Sequence, residues 1–416
     1  MYYALGVILA AAGTAMPAGM LSIIWDSVSV NMTVDIPYIA LIRALLAAGG
    51  FLACVLCDRI RRTLRHFEAV CAALALQACT IIGMSLARTT VGLFIWMTLE
   101  GFGTGLVTGM LCSLLLVENT GALMGLCAAF PAGCAAGCFI LNKVLSLHGS
   151  WRTALQILAI AMVVMFLALF ILVRSHLSAE KLKELQRVKS RWAFLSDPKA
   201  ASMHHTMTEK EAEAVSRFFA RRVIFAYIAA MALGVLLCAL VLWPDAYLAQ
   251  IPDTSLTDGL SVAIVCAGSA AGLLITGFLS RKKSADHAAY SAGRYRILAL
   301  CLLFSAAVCV LECVLAIRGQ LSVTGVNVLR FLSSACIAPV CALLIQTSDT
   351  RLDYDAVSSL TGLIPGCFFI GYMIITPVTQ VLVKSGRVAH FPIWLLAVTA
   401  IGAVLAAVPG RTGGSK

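Results

Sequence analysis

The chain has 416 residues, of which 61% are hydrophobic and 12% charged, with a mean hydropathy of +0.94. A soluble globular chain carries about 25% charged residues, so this composition excludes a soluble enzyme or binding module and indicates a polytopic membrane protein. The net charge of +11 does not indicate nucleic acid, because the basic residues gather in loops on one side of the apolar stretches.

A membrane span needs about 20 apolar residues. Twelve stretches qualify: 2–24, 36–57, 67–87, 91–117, 121–145, 152–173, 223–243, 259–279, 295–317, 321–346, 357–382 and 391–409. The first is read as span 1 rather than a leader peptide, because no basic segment precedes it and eleven spans follow. Pro17, Pro131, Pro339, Pro365 and Pro377 fall inside spans, where proline kinks a helix and frees a carbonyl. Of the Lys and Arg residues, 23 fall in loops on one side and six on the other, while Arg43 and Arg330 lie within spans. The basic side is cytoplasmic by the positive-inside rule, which puts both termini there.

The longest loop, about 174–222, divides the spans six and six. Residues 1–173 and 223–416 are therefore expected to form two six-helix bundles joined by a basic linker. Leu182, Leu185, Val188, Trp192 and Leu195 share one helical face amid basic residues, the pattern of a helix lying on the anionic inner leaflet. Thr208 and Glu211 form a capping-box pattern that leads toward span 7. A plain solvated linker is the alternative. All sixteen cysteines fall in apolar stretches and read as small packing residues. Cys54-x-x-Cys57 has no partner pair and no nearby His, so neither a metal nor a cofactor is expected.

The two halves resemble each other. Span 2 ends Cys54-Val-Leu-Cys-Asp58-Arg59 and span 8 ends Gly277-Phe-Leu-Ser-Arg281-Lys282, which sets Gly49 against Gly272. In span 4, Leu99-Glu100, Gly109 and Leu114-Leu115 lie over Leu329-Arg330, Pro339 and Leu343-Leu344 of span 10. Gly125 to Gly149 and Gly362 to Gly386 are equal intervals, covering spans 5 and 11 and their exits. Parallel six-helix repeats are a transporter plan with the site near the midplane, between the halves.

With these features the chain resembles the major facilitator superfamily over its whole length. Asp58-Arg59-Ile-Arg-Arg62 resembles the family's G-x-L-x-D-R-x-G-R-R/K loop, with Cys54 and Arg61 in place of its glycines. Gly277-Phe-Leu-Ser-Arg281-Lys282-Lys283 is a second copy without the acid. Gly101-Phe-Gly103-Thr-Gly105 and Gly149-Ser-Trp151-Arg152 are further typical features, and Ala338-Pro339 is similar to sugar-permease-like members. The acid or amide that such members often carry in mid-span 4 is replaced by Val107, Thr108 and Leu111, and their early span 5 His by Cys127. The resemblance implies an all-α fold of twelve helices in two pseudo-symmetric bundles, and a central cavity lined by spans 1, 4, 7 and 10. It assigns Asp58, Arg59, Arg62, Arg281 and Lys282 to a cytoplasmic gating latch. The alternative for these residues is an ordinary positive-inside loop.

Ionisable residues inside spans are costly and usually mark a site. Glu100 and Arg330 lie about nine residues, or ~13 Å, into spans 4 and 10, near the midplane of a ~30 Å core. Under the repeat they are near-symmetry mates that could approach across the cavity. An alternative register sets Arg330 against Met97, one turn away. Arg43 in span 2 is a third buried charge, so the set holds two cations and one acid. A surplus arginine favours an anionic solute, and a desolvated Glu100 could carry a proton. The opposing reading is a structural ion pair of Glu100 with Arg330 or Arg43. Glu312, near the outer end of span 9, is expected to snorkel to the interface. Further cavity candidates are Thr14, Ser22, Thr108, Tyr227, Trp243 and Gln346. None of the seven His lies deep in a span, against a His proton relay.

The function expected is secondary active transport of a small organic solute, anionic in character and with proton coupling, by a monomer in the cytoplasmic or plasma membrane. A multidrug or lipophilic effluxer on the same fold is the alternative, although Pro131 follows Phe130 rather than the efflux-type glycine. A transport-inactive sensor or scaffold is the alternative of another class. An enzyme is not expected, because no zinc-protease, phosphate-loop or nucleophile-elbow pattern occurs.

Overall fold

The computed structural model describes residues 2–32, 37–63, 66–114, 120–176, 228, 230–236, 258–279, 287–346, 354–385 and 391–407. The basic linker with its amphipathic and capping-box segments, Tyr227, Trp243, Arg281 and Lys282 lie outside the described residues. The described residues are almost wholly α-helical. Eight helices are long and apolar enough to cross a bilayer, and Leu41–Cys57 and Pro365–Val378 are shorter apolar segments. Large apolar side chains face outward: Ile160, Val164, Leu167 and Ile171 form an exposed stripe on span 6, which suits a lipid-facing helix surface. The chain is an integral, multi-pass membrane protein.

The prolines act locally as expected. Span 1 is two helices, Tyr2–Ala15 and Met20–Met32. Pro17 has no N–H to give Gly13, and the break is bridged by tighter bonds from Met16 to Gly13, Ala18 to Ala15 and Met20 to Pro17. Span 5 is likewise Thr120–Cys127 followed by Ala129–His148, with the break one turn before Pro131. Pro339, Pro365 and Pro377 sit inside continuous helices, Val323–Gln346 for span 10 and Tyr354–Lys384 for span 11. Spans 2, 3, 4 and 6 are Pro37–Thr63, His66–Leu86, Thr90–Leu114 and Trp151–His176, and spans 8, 9 and 12 are Asp258–Leu279, His287–Ile317 and Phe391–Ala407.

Span 2 packs closely on span 4, and span 8 on span 10. A Cβ on Gly101 or Gly105 would run into the carbonyls of Leu46 and Gly50. A Cβ on Gly268 or Gly272 would run into those of Phe331 and Ala335. Glycine is required at these close approaches because only a missing side chain lets two backbones touch. The Ala335 carbonyl is the one that Pro339 cannot serve, four residues on. Shifting span 2 by 222 residues and span 4 by 230 carries both N-terminal contacts onto the C-terminal pair. Gly272 therefore matches Gly50 rather than Gly49, and Glu100 matches Arg330, not Met97.

The halves meet along two seams. Span 2 packs on span 11, where Ala47, Cys54 and Phe369 form a buried cluster. Span 5 packs on span 8, where the Cys134 thiol lies in hydrogen-bond contact with Cys138 and Cys266. Cys54, in place of the loop motif's first glycine, donates from Sγ to the Gly105 carbonyl (3.4 Å) and abuts Gly366. Gly149, at φ 63°, closes span 5 with its N–H on Leu145 O. Arg152 stacks on Trp151 and donates to the last-turn carbonyl region of span 3 at Ala87 (3.2 Å). The Gly149–Arg152 motif thus joins three helices.

Gly101→Val is expected to force spans 2 and 4 apart and to lower the melting temperature in detergent strongly. Gly125→Ala, with open space around its Cβ position, is expected to leave it unchanged or raise it slightly.

Candidate functional site

The polar residues inside the N-terminal half converge on Glu100. Its side chain is 1% exposed. Gln77 Nε2 donates to Oε1 at 3.0 Å, Thr104 Oγ1 lies 3.3 Å from the same oxygen, and Thr80 Oγ1 lies 2.5 Å from Oε2. Gln77 also donates to Thr104 Oγ1 (2.7 Å) and accepts from Thr14 Oγ1 (2.8 Å). Spans 1, 3 and 4 are therefore tied by one hydrogen-bonded cluster. The helices supply the spacing: Gln77 and Thr80 are three residues apart on span 3, and Glu100 and Thr104 four apart on span 4, so each pair shares a face.

Counting hydrogens shows what this cluster can hold. Thr80 Oγ1 is also 2.7 Å from the Gln77 backbone carbonyl. A hydroxyl carries one hydrogen, so it gives a full, undivided bond to only one of that carbonyl and Glu100. Both short contacts are satisfied when Glu100 is a carboxylic acid and donates to Thr80. The partners are all neutral, so a proton can enter or leave without an ion pair being broken.

Neither arginine is among the partners of Glu100. The ion pair of Glu100 with Arg330 or Arg43 is therefore not what holds this carboxyl. Arg330 is fully buried and acts electrostatically on Glu312 of span 9. Glu312 is 0% exposed, which corrects its reading as a snorkelling interface residue: span 9 turns it onto span 10, not into lipid. With Glu312 inside, the buried ionisable set comprises two arginines and two glutamates, and Glu100 is not paired with either arginine.

Arg43 is half-buried. Its Nη2 lies 3.4 Å from Ser22 Oγ, and its Nε has no hydrogen-bond partner. Thr14 belongs to the Glu100 cluster, whereas Thr108 bonds back to the Thr104 carbonyl of its own helix (2.6 Å). Arg59 is exposed. Asp58, Arg62 and Gln346 lie on described helices, with side chains outside the described set. Gln77 and Thr80 were missing from the sequence-derived candidates. A buried amide in the middle of an apolar span was the available signal, since such a group needs partners as a charge does.

The Major Facilitator Superfamily family model matches residues 3–347. The chain belongs to the major facilitator superfamily. Among solved structures it is similar to the MFS proton:xylose symporter XylE bound to 6-bromo-6-deoxy-D-glucose, with a TM-score of 0.73 and 13% sequence identity. The match covers 98% of this chain and 93% of that one, and at this identity it establishes the fold. A search of curated proteins returns no match. Membership of this superfamily points to a transporter.

Glu100→Gln is expected to keep the cluster closed, because the amide can donate to Thr80 and accept from Gln77 and Thr104. Glu100→Leu strands those groups at about 1–3 kcal/mol each. Thermal unfolding should show near-native stability for the first and a large loss for the second.

Proposed function

We propose that this protein is a secondary active transporter for a small organic solute, coupled to protons through Glu100. The carrying observation is the hydrogen count at Thr80: a fully buried carboxyl, surrounded by neutral partners, whose short contacts close in the acid form. A carrier group must take and release a proton without dismantling its surroundings, and this cluster supports that.

In this reading residues 1–173 and 223–416 rock as two bundles, tethered by residues 174–222 and gated at Asp58, Arg59, Arg62, Arg281 and Lys282. Both termini are cytoplasmic, in keeping with the distribution of Lys and Arg. The anionic character of the solute rests on Arg43, whose planar fork is incompletely filled and suits a carboxylate. Arg330, fully buried on span 10, stays a candidate of the substrate or proton site. Thr14, Thr108, Tyr227, Trp243 and Gln346 stay as candidates for the cavity wall.

A thermal-shift screen of anionic, neutral and cationic solutes on the purified protein is expected to find stabilisation by an anion that is lost in Arg43→Ala. Equal stabilisation of wild type and Arg43→Ala would remove the anion site. In proteoliposomes, an imposed inward proton gradient should drive accumulation of that solute. Glu100→Gln should abolish accumulation while leaving solute exchange. Accumulation that survives the substitution would show that Glu100 is not the carrier, and absence of any exchange would favour the transport-inactive alternative.

A further inference from the structure

The proposed transport cycle makes no use of the cysteines at the seam of spans 5 and 8. Cys134 and Cys138 are four residues apart on span 5 and share one face. Cys266 comes from span 8, in the other half of the repeat. The Cys134 thiol is in hydrogen-bond contact with Cys138, with Cys266 and with the backbone of Gly19. Gly19 lies in the break of span 1, and it fixes the cluster in space. A Cβ on Gly19 would run into Cys138 Sγ, and would lie 3.7 Å from Cys134 Sγ and 2.9 Å from Val262 Cγ1. Val262 is one turn before Cys266 on span 8. Cys138, Val262 and Cys266 belong to one buried apolar cluster, and Cys134 packs against it.

Three thiols from two halves therefore meet at one point, beside the break of span 1. Packing explains why these residues are small, but not why thiols of opposite halves touch. The other seam is different, because Cys54 gives its Sγ–H to Gly105 within its own half. At the seam of spans 5 and 8, Cys138 and Cys266 are buried, whereas Cys134 is half-buried.

Only one of the two contacts of Cys134 suits a covalent bond. One turn apart on a helix, two Cβ atoms are about 5–6 Å apart, and an unstrained disulfide needs about 3.5–4.5 Å. Span 5 thus holds Cys134 and Cys138 too far apart. Cys266 approaches from a separate helix and is free of that constraint.

We propose that Cys134 and Cys266 are a peroxide-sensitive thiol pair whose disulfide joins the two halves of the protein. Cys134, the more exposed thiol, reacts first, as the thiolate. Its Sγ attacks one oxygen of hydrogen peroxide or an organic hydroperoxide. The O–O bond breaks, and water or an alcohol leaves with the thiol's proton, which makes Cys134 a sulfenic acid. Cys266 Sγ then displaces the sulfenic hydroxyl, which leaves as water with the Cys266 proton, and the S–S bond forms. The two thiols lose two electrons and the peroxide gains them. The bond fastens span 8 to the part of span 5 that follows its break. In a reducing compartment such a bond is transient, so the restraint is reversible.

The test uses the protein in nanodiscs, treated with hydrogen peroxide, then unfolded and alkylated. Wild type should lose two of its sixteen alkylatable thiols, and a disulfide map should join the Cys134 peptide to the Cys266 peptide. Dithiothreitol should restore both thiols. Cys138→Ser should keep the bond. Cys266→Ser should lose it and leave a Cys134 sulfenic acid that dimedone traps. Amide hydrogen exchange in spans 5 and 8 should slow in oxidised wild type and recover on reduction. Wild type in which Cys134 stays reduced, is oxidised without a partner or is joined to Cys138 would overturn the proposal, whatever the variants do. A Cys134–Cys266 bond that leaves amide exchange unchanged would overturn the restraint between halves. None of these readouts measures transport, so their outcome is independent of the Glu100 reading.

Discussion

The contact of glycine with backbone carbonyl between spans 2 and 4, repeated between spans 8 and 10, is the constraint on which the rest depends. Lipid gives no hydrophobic force between helices, so close van der Waals approach carries much of the association. Four glycines bring the paired backbones together: Gly101 and Gly105 in one half, Gly268 and Gly272 in the other. The two halves solve the same problem with the small residue on opposite helices. Their coincidence under one shift fixes the rotational register of spans 4 and 10, and so fixes where Glu100 and Arg330 point.

Glu100 then faces within its own half, onto span 3, and Arg330 acts on Glu312 of span 9. Each is buried against the preceding span of its bundle, span 3 for Glu100 and span 9 for Arg330. The environments differ in kind. Glu100 is held by an amide and two hydroxyls, while Arg330 is held near a carboxyl that lacks hydrogen bonds. One arrangement surrounds a buried carboxyl with neutral partners, and in the other an arginine charge acts on a buried carboxyl. In a network of neutral partners the hydroxyls and amide can turn to donate to the carboxyl oxygens when the charge on the acid changes, and no ion pair has to be broken.

Much of the fold was legible because the bilayer imposes length and apolarity on every span. The boundaries read from composition fall within a few residues of helix ends for most described spans, and Pro17 and Pro131 break helices where proline chemistry predicts. The polar site was less legible. Glu100, Arg330 and Arg43 stand out as charges, but Gln77 and Thr80 look like ordinary residues of a third span until packing brings them onto the carboxyl. Glu312 was misread because its distance from the helix end suggests the interface, whereas the side on which it emerges decides its burial.

The sequence by itself determined the family, the helical class, the internal repeat and the three outstanding buried charges. Those follow from composition, spacing and the cost of placing an ion in hydrocarbon, which are properties of position along the chain. Only the tertiary structure decided the neighbours: Glu100 bonded to Gln77, Thr80 and Thr104, and Glu312 buried under the electrostatic influence of Arg330. Partnership depends on the rotation of one helix against another. That rotation is set by close packing at a few glycines and carbonyls, and a hydropathy pattern that is apolar on all sides cannot specify it.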